Sequence, residues 1–140
     1  MSMTSPLENL CGPGKPLTSE LFDRKEFEGL LRSGRARLRD ASTPGISNEG
    51  RFDLAYNAVH ALCLAALRAH GYRASNRYIV FQALPHTLGL GPEVWRVLAK
   101  CHELRNQSEY EGGLDVGERI VKDLLNAAEK VADAIVQLEG

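Results

Sequence analysis

Hydrophobic residues recur with the three-to-four-residue spacing of a helix in four long stretches of the chain. Capping residues, glycines and prolines set the predicted bounds, which are 18–41, 48–70, 92–111 and 115–140. The second of these helices is apolar almost all the way round, which is typical of a helix that is central in a bundle or lies at a subunit interface. The pattern therefore predicts an all-α fold, a four-helix up-and-down bundle.

The stretch between the second and third predicted helices carries a mixed signal. Its segment RYIVFQAL, residues 77–84, is rich in the β-branched and aromatic residues that favour a strand. A strand needs a partner, and the rest of the chain has no matching strand pattern. We therefore predict a short extra helix over about 76–84 that ends near Pro85.

The first 17 residues differ in composition from the rest of the chain. They are rich in serine, proline and glycine and show no hydrophobic period, which is typical of a flexible N-terminal tail. The sequence GPGK within them lacks the spacing of a phosphate-binding loop, and Pro16 follows the lysine where a helix should begin. The expected organisation is a tail over 1–17 and one helical-bundle domain over 18–140.

Length and charge narrow the function classes only in part. A chain of 140 residues suits one domain with a real hydrophobic core. A formal net charge of -1 excludes a global basic field that would recruit nucleic acid. A local basic patch stays open, because four arginines between residues 32 and 39 either contact RNA phosphates or form a solvated helix face paired with nearby acids.

The cysteine pattern and the lengths of the apolar runs indicate the cellular compartment of the protein. Cys11, Cys63 and Cys101 are odd in number and have no metal-ligand spacing, which predicts free thiols in a reducing compartment. The start of the chain has no signal-peptide pattern, and no apolar run reaches the roughly 18 residues of a membrane span. We therefore expect a cytoplasmic protein that is not associated with a membrane.

The segment LAKCHELRNQSEYEGG in the third predicted helix combines an apolar stripe with side chains capable of chemistry. His102, Arg105, Asn106 and Glu109 are spaced at three and four residues, so they form a second stripe on that helix. Arg105 can stabilise a phosphate-transfer transition state, Asn106 can orient a ribose or phosphate oxygen, and Tyr110 can hydrogen-bond or stack on a base. The structural alternative is that Arg105 forms an ion pair with Glu109 one turn later and that Tyr110 only packs.

Histidines supply the candidate proton-transfer groups. His102 lies one turn before Arg105 on the same face, and an unperturbed histidine pKa of about 6.5 suits acid–base work. On the second helix His60 lies four residues after Tyr56, so these side chains are expected to touch. The histidines lack metal-ligand spacings such as HxxxH, so we expect no metal and no other cofactor.

Two short motifs give the chain a family resemblance. The second helix contains AYNAVHALCLAALRAHGY, in which a tyrosine and a nearby histidine precede an alanine-rich run that ends in Gly-Tyr. The third helix contains RNQSEY, an arginine followed by a polar residue near the helix end. In these motifs and in their order the chain resembles the HEPN (higher eukaryotes and prokaryotes nucleotide-binding) family over about residues 20–138.

The resemblance implies a fold and a set of roles. HEPN domains are small helical bundles, usually dimeric, and active members are metal-independent ribonucleases in which an arginine and a following histidine from two copies meet across the dimer. Carried over to this chain, Arg105 takes the arginine position and Asn106 the polar position beside it. Tyr110 stands where the family has its histidine.

Two functions therefore remain as expectations. The first is a non-catalytic or weakly catalytic module that binds nucleotide, RNA or a partner protein, with Asn106, Glu109, Tyr56 and His60 as binding residues. The second is an active ribonuclease toxin that uses Arg105, with His102 or Tyr110 as the acid–base group. Both imply a homodimer, which the apolar second helix also favours. The family further implies a toxin–antitoxin or defence setting, with a nucleotidyltransferase antitoxin as a partner.

Overall fold

The computed structural model of the chain describes residues 6–111 and 116–139, and the side chains of 7–107 and 116–139. The described chain is mostly helical, which confirms the all-α prediction in its general form. Its helices are α1 (Pro6–Asn9), α2 (Arg24–Ala41), α3 (Asn48–Ala69), α4 (Arg77–Gln82), α5 (Leu84–Thr87), α6 (Pro92–Glu111) and α7 (Glu118–Ile135), followed by a 3-10 turn at Val136–Leu138. Two strands, β1 (Leu17–Ser19) and β2 (Tyr72–Ala74), form a small antiparallel sheet. Among the described residues, no helix combines the length and apolar character needed to cross a membrane.

The segment before α2 is folded where the sequence predicted an irregular tail. Leu7 of α1 is 2 % exposed and Leu17 of β1 is fully buried, so both belong to the hydrophobic core. Backbone hydrogen bonds join Leu17 to Leu10 and to Gly12, which folds the intervening turn back on itself. The tail prediction is therefore wrong for residues 6–17, because two isolated leucines without a period still bury against the core.

α2 begins later than its sequence pattern predicted. Thr18 and Ser19, the predicted capping residues, lie in β1 and pair with β2. Asp23 caps the helix instead, since its carboxylate accepts hydrogen bonds from the backbone N–H groups of Lys25 and Glu26 at 3.0 and 3.3 Å. The predicted start is thus corrected from residue 18 to residue 24, because a long-range strand pairing takes the earlier residues.

α3 is the central helix of the fold. The Ser47 hydroxyl caps its start by accepting from the Gly50 N–H at 3.0 Å, and Gly71 ends the segment with a φ of +87°, close to the predicted bounds. α3 packs against α2, α7, α4 and α6 of the same chain. Its apolar faces are therefore explained by a central position, and their apolarity no longer argues for a second copy of the chain.

α2 and α3 approach each other closely at a glycine. A Cβ atom built on Gly34 would lie 2.9 Å from two side-chain carbons of Leu62 and 3.0 Å from the Ala58 carbonyl oxygen. Gly34 is buried in the face of α2 that packs on α3. Only a residue without a side chain fits this contact at the observed spacing.

α6 and α7 differ in how closely they follow prediction. α6 has the predicted bounds, and its Trp95 is partly buried against the core. α7 begins at Glu118 with Gly117 at its cap, while the predicted capping residue Asp115 lies outside the described residues. The helix ends at Ile135 and a 3-10 turn follows, so it stops short of the predicted end.

A buried arginine joins α3 to the start of α2 and to β2. Arg68 is 1 % exposed, and its Nε donates to the Glu26 carboxylate at 2.6 Å. Its other nitrogens donate to the carbonyl oxygens of Leu21, Glu20 and Tyr72 at 2.6, 3.1 and 3.2 Å. Hydrogen bonds from Arg73, and then from Arg68, lower the pKa of Glu26 from its ordinary value of 4.5.

Candidate functional site

A hydrogen bond between α3 and α6 lies at the centre of the candidate site. The hydroxyl of Tyr56, a residue with no exposed surface, lies 2.8 Å from Nδ1 of His102. The two rings are stacked, with centroids 6.4 Å apart and planes inclined by 19°. The structure thus joins two residues that the sequence placed on different helices as separate candidates.

The second nitrogen of the His102 ring is also engaged. The Asn106 amide nitrogen, one turn later on α6, lies 3.2 Å from Nε2. An amide nitrogen only donates, so in this arrangement Nε2 accepts and the ring proton is on Nδ1, where it is donated to the Tyr56 oxygen. Asn106 and Tyr56 therefore fix both the orientation and the tautomer of the imidazole.

Arg105 reaches from α6 to α3. Its Nη1 donates to the Asp53 carboxylate at 2.5 Å, and its guanidinium carbon lies 5.0 Å from the centroid of the Tyr56 ring. The side chain keeps 27 % of its surface exposed, and that of Asp53 keeps 56 %. The ion pair proposed from sequence was with Glu109, whose side chain lies outside the described part of the chain.

A second arginine approaches the same tyrosine from α4. The guanidinium carbon of Arg77 lies 5.7 Å from the centroid of the Tyr56 ring, and its Nη1 lies 3.5 Å from the Asn57 side-chain oxygen. Burial raises the pKa of Tyr56, against the opposing effect of the Arg77 and Arg105 charges. The phenol therefore stays protonated at neutral pH, and the two guanidinium groups are the cations next to it.

An aromatic cluster supports the site from below. The buried Phe81 ring of α4 lies 5.9 Å from Tyr56, 6.0 Å from His60 and 6.3 Å from His102, measured between centroids. Burial lowers the pKa of His60 to about 4, so this histidine is neutral at physiological pH. Tyr56 and His60, predicted to touch each other, thus share Phe81 as a common neighbour.

Tyr78 forms the outer edge of this cluster. Its ring centroid lies 6.0 Å from that of His102, and the residue is 38 % exposed. We use the name α3–α6 site for the surface formed by Asp53, Arg77, Tyr78, His102, Arg105 and Asn106 together with the buried Tyr56 beneath them.

The structure brings together most of the residues that the sequence proposed. Tyr56, His102, Arg105 and Asn106 meet in the α3–α6 site, and His60 lies behind them on Phe81. Glu109 and Tyr110 lie on the last turn of α6, and their side chains are outside the described residues.

Sequence reasoning missed three members of the site. Asp53 lies three residues before Tyr56 on α3, a helical spacing that would have placed it on the same face. Arg77 and Tyr78 precede the apolar core of RYIVFQ, and only the packing of α4 against α6 brings them to the site. The sequence feature that could have indicated Arg77 and Tyr78 is that a short apolar helix begins with an arginine and a tyrosine.

The chemistry available at the α3–α6 site is that of anion binding with a positioned imidazole. Guanidinium groups bind phosphate oxygens with charge-assisted, often paired hydrogen bonds. The imidazole is a proton-transfer group whose tautomer is set by its neighbours. Across the described residues, no group of three or more histidine, cysteine, aspartate or glutamate side chains is arranged to hold a metal ion.

Comparison with known proteins adds no assignment. No protein-family model, no curated protein and no solved structure matches this chain. The α3–α6 site and the sequence motifs around it are therefore the features from which a function can be inferred.

Proposed function

We propose that the chain is a HEPN-like module that binds RNA or nucleotides through the α3–α6 site. The observation that carries the proposal is the placement of two guanidinium groups, Arg105 and Arg77, at 5.0 and 5.7 Å from the same buried tyrosine ring. Two arginines from different helices, held beside a histidine and an amide, suit a phosphate and the ribose attached to it.

A ligand that binds Arg105 would have to displace the ion pair between Arg105 and Asp53. Asp53 is more than half exposed and holds Arg105 from the solvent side of α3. A backbone phosphodiester carries one negative charge and two free acceptor oxygens, as this carboxylate does. It would exchange with Asp53 at Arg105 because it can also contact the second guanidinium, that of Arg77. In the absence of ligand, Asp53 keeps the arginine oriented toward the site.

The proposal includes the bundle topology and the assembly that the resemblance implies. The four long helices α2, α3, α6 and α7 would form an up-and-down bundle of the HEPN type, and two copies would associate with their α3–α6 sites close together. A toxin–antitoxin or defence role with a nucleotidyltransferase partner is the corresponding physiological hypothesis. Light scattering at micromolar concentration tests the assembly, and a monomer would remove the composite site from the proposal.

A metal-independent endoribonuclease is the second candidate function. The observation that favours it is the position of the His102 imidazole. Its two nitrogens contact Tyr56 and Asn106, and the residue lies one helical turn before Arg105. In such an enzyme Nε2 of His102 would exchange its contact with Asn106 for the attacking ribose 2′-hydroxyl and take its proton. The 2′-oxygen would bond to phosphorus as the 5′-oxygen of the next nucleotide leaves and takes a proton from water. Arg105 would stabilise the charge that develops on the phosphate. A tyrosine with the ordinary pKa of about 10 is protonated at neutral pH and cannot take up this proton, which favours His102 over Tyr110 as the base.

The test of the proposed function is RNA binding by fluorescence anisotropy with an Arg105→Ala variant. Loss of a charge-assisted contact worth about 1.5–3 kcal/mol should weaken binding roughly 10- to 150-fold. Arg96→Ala is the matched control, because Arg96 is an exposed arginine on the opposite side of α6 that lies over Trp95 instead. It should change affinity little.

Incubation of the same RNA with EDTA present separates the two candidates. Intact RNA with tight binding supports the binding module. Cleavage that both Arg105→Ala and His102→Ala abolish supports the ribonuclease. A folded wild-type protein that neither binds nor cleaves any RNA or nucleotide would overturn the proposed function.

A further inference from the structure

Tyr78 is a large side chain left exposed at the α3–α6 site. Among the described residues, the exposed large hydrophobic side chains are Leu21, Phe22, Tyr78 and Val136. Of these, Tyr78 has its ring 6.0 Å from that of His102. We propose that the bound nucleotide is an unpaired one in a single strand of RNA, and that its base stacks on the exposed Tyr78 ring; this rests on the proposed function.

Tyr78 is adjacent in sequence to one of the two arginines of the site. Arg77 brings its guanidinium to within 5.7 Å of the Tyr56 ring centroid, and the next residue presents its aromatic ring beside His102. A cation and an aromatic face therefore stand next to each other on the first turn of α4. Single-stranded nucleic acid is bound by this combination, in which cations contact the backbone and aromatic rings stack on the bases.

The backbone that carries Tyr78 is firmly anchored. The Asn76 side-chain oxygen caps α4 by accepting from the Ile79 N–H at 3.0 Å. The three residues after Tyr78 are buried, with Ile79, Val80 and Phe81 exposed by 7, 2 and 0 %. They fill the core side of α4, so Tyr78 is not needed to close the core. A ring held at the surface on a fixed helix loses little conformational entropy when a base stacks on it.

Stacking on Tyr78 requires a base that is free of its neighbours. In a duplex both faces of each base are covered by adjacent pairs, and protein side chains reach only the grooves and the backbone. Every base has a π-face, so stacking on one tyrosine depends little on sequence. The expected ligand preference is therefore for single strands over duplexes, with weak discrimination among the four bases.

The experiment compares three RNA ligands of equal length by fluorescence anisotropy. They are a single-stranded oligouridine, the same strand with abasic sites in place of the bases, and a duplex. Wild-type protein should bind the oligouridine about 5- to 150-fold more tightly than the abasic strand, which is the effect of one stacked base. The abasic arm needs no variant, so it shows whether a base contributes to binding even if a substitution impairs folding. The Tyr78 variants assign that contribution to the Tyr78 ring.

Two variants of Tyr78 and one control extend the test. Tyr78→Ala should lose the same factor on oligouridine and little on the abasic strand, while Tyr78→Trp should retain tight binding. Phe22→Ala is the matched control, since Phe22 is a similarly exposed aromatic, at 42 % against 38 %, that packs on Phe27 rather than at the site. It should leave the affinity for oligouridine unchanged.

The outcomes distinguish this inference from the proposed function. Equal affinity for the oligouridine and abasic strands, with binding still lost in Arg105→Ala, would overturn base stacking and leave RNA binding in place. Tighter binding of the duplex than of the single strand would do the same. No binding of any of the three RNAs by the wild-type protein would overturn both.

Discussion

The contact between α2 and α3 at Gly34 gives a test of the fold in which two effects oppose each other. Gly34 and Gly29 both lie within α2, where alanine is favoured over glycine by about 1 kcal/mol. At Gly29 an added Cβ would meet only the end of the Arg32 side chain, at 3.9 Å. At Gly34 it would lie within 3.0 Å of Leu62 and of the Ala58 carbonyl oxygen. The same substitution is therefore expected to have opposite effects.

The size of the difference follows from what can move. Leu62 is fully buried and the Ala58 oxygen belongs to the α3 backbone, so neither can turn away into solvent. Overpacking of a buried site costs about 1–3 kcal/mol. Set against the gain of about 1 kcal/mol in helix propensity, Gly34→Ala should lower the free energy of unfolding by up to about 2 kcal/mol. Gly29→Ala should raise it by about 1 kcal/mol.

Urea unfolding followed by far-UV circular dichroism measures both variants against the wild type. The informative quantity is the difference between the two variants, because the helix-propensity gain is common to them and cancels. It should equal the overpacking cost of about 1–3 kcal/mol, with Gly29→Ala the more stable. If Gly34→Ala proved as stable as Gly29→Ala, the close approach of α2 and α3 at this position would be refuted.

Two further predictions concern the polar contacts. Glu26→Gln should cost roughly 2 kcal/mol at pH 7, less than the about 3–5 kcal/mol of a broken buried pair because Glu20 still faces Arg68. Since the pKa of Glu26 is lowered in the folded state, its contribution to the free energy of unfolding is present above pH 4.5 and lost as the pH falls further. In urea unfolding from pH 6 to pH 3, the free energy of unfolding of the variant should therefore change less with pH than that of the wild type. The same pH dependence in both proteins would contradict this role of Glu26. Tyr56→Phe should destabilise by about 1 kcal/mol, the net value of its hydrogen bond to His102. Tyr56→Ala should cost about 3–5 kcal/mol, and equal losses in the two variants would show that the hydroxyl, not the ring, carries the contribution.

The long helices were readable from sequence where local signals agree. α3 has a serine cap, a continuous apolar pattern and a glycine stop, and the observed Asn48–Ala69 is within one residue of the predicted bounds. Proline at the first position of α6 fixed its start in the same way. One short helix was assigned to about residues 76–84, in spite of their β-branched composition, with its end near Pro85. The segment is helical, but α4 ends at Gln82 and a separate α5 over Leu84–Thr87 contains Pro85, so the predicted end is wrong.

The structure of the first residues could not be predicted from sequence, because it depends on contacts with residues far away along the same chain. The sequence showed no strand pattern that could pair with RYIVFQAL and predicted no sheet, yet β1 pairs with β2 more than fifty residues later. That pairing takes Thr18 and Ser19 out of reach of α2 and leaves Asp23 to cap it. Single-sequence periodicity carries no information on such a pairing, since each strand is three residues long.

The candidate site was half predictable for a similar reason. Helical spacing placed His102, Arg105 and Asn106 on one face of α6, and the structure keeps them there. The contribution of Arg77 and Tyr78 depends on how α4 packs over α3 and α6, which no local pattern encodes.

Because Tyr56 is fully buried, the inner side of the α3–α6 site is part of the hydrophobic core. One ring packs on Phe52 and Phe81 on the inside and carries His102 and both arginines on the outside. A change in side-chain volume at Phe52, Tyr56 or Phe81 would therefore move the guanidinium groups of Arg77 and Arg105 as well as loosen the packing of the core. Altering ligand preference by directed evolution would thus proceed through the exposed residues of the site, which lie on α4, on α6 and at Asp53, because the buried residues of α3 also form the core.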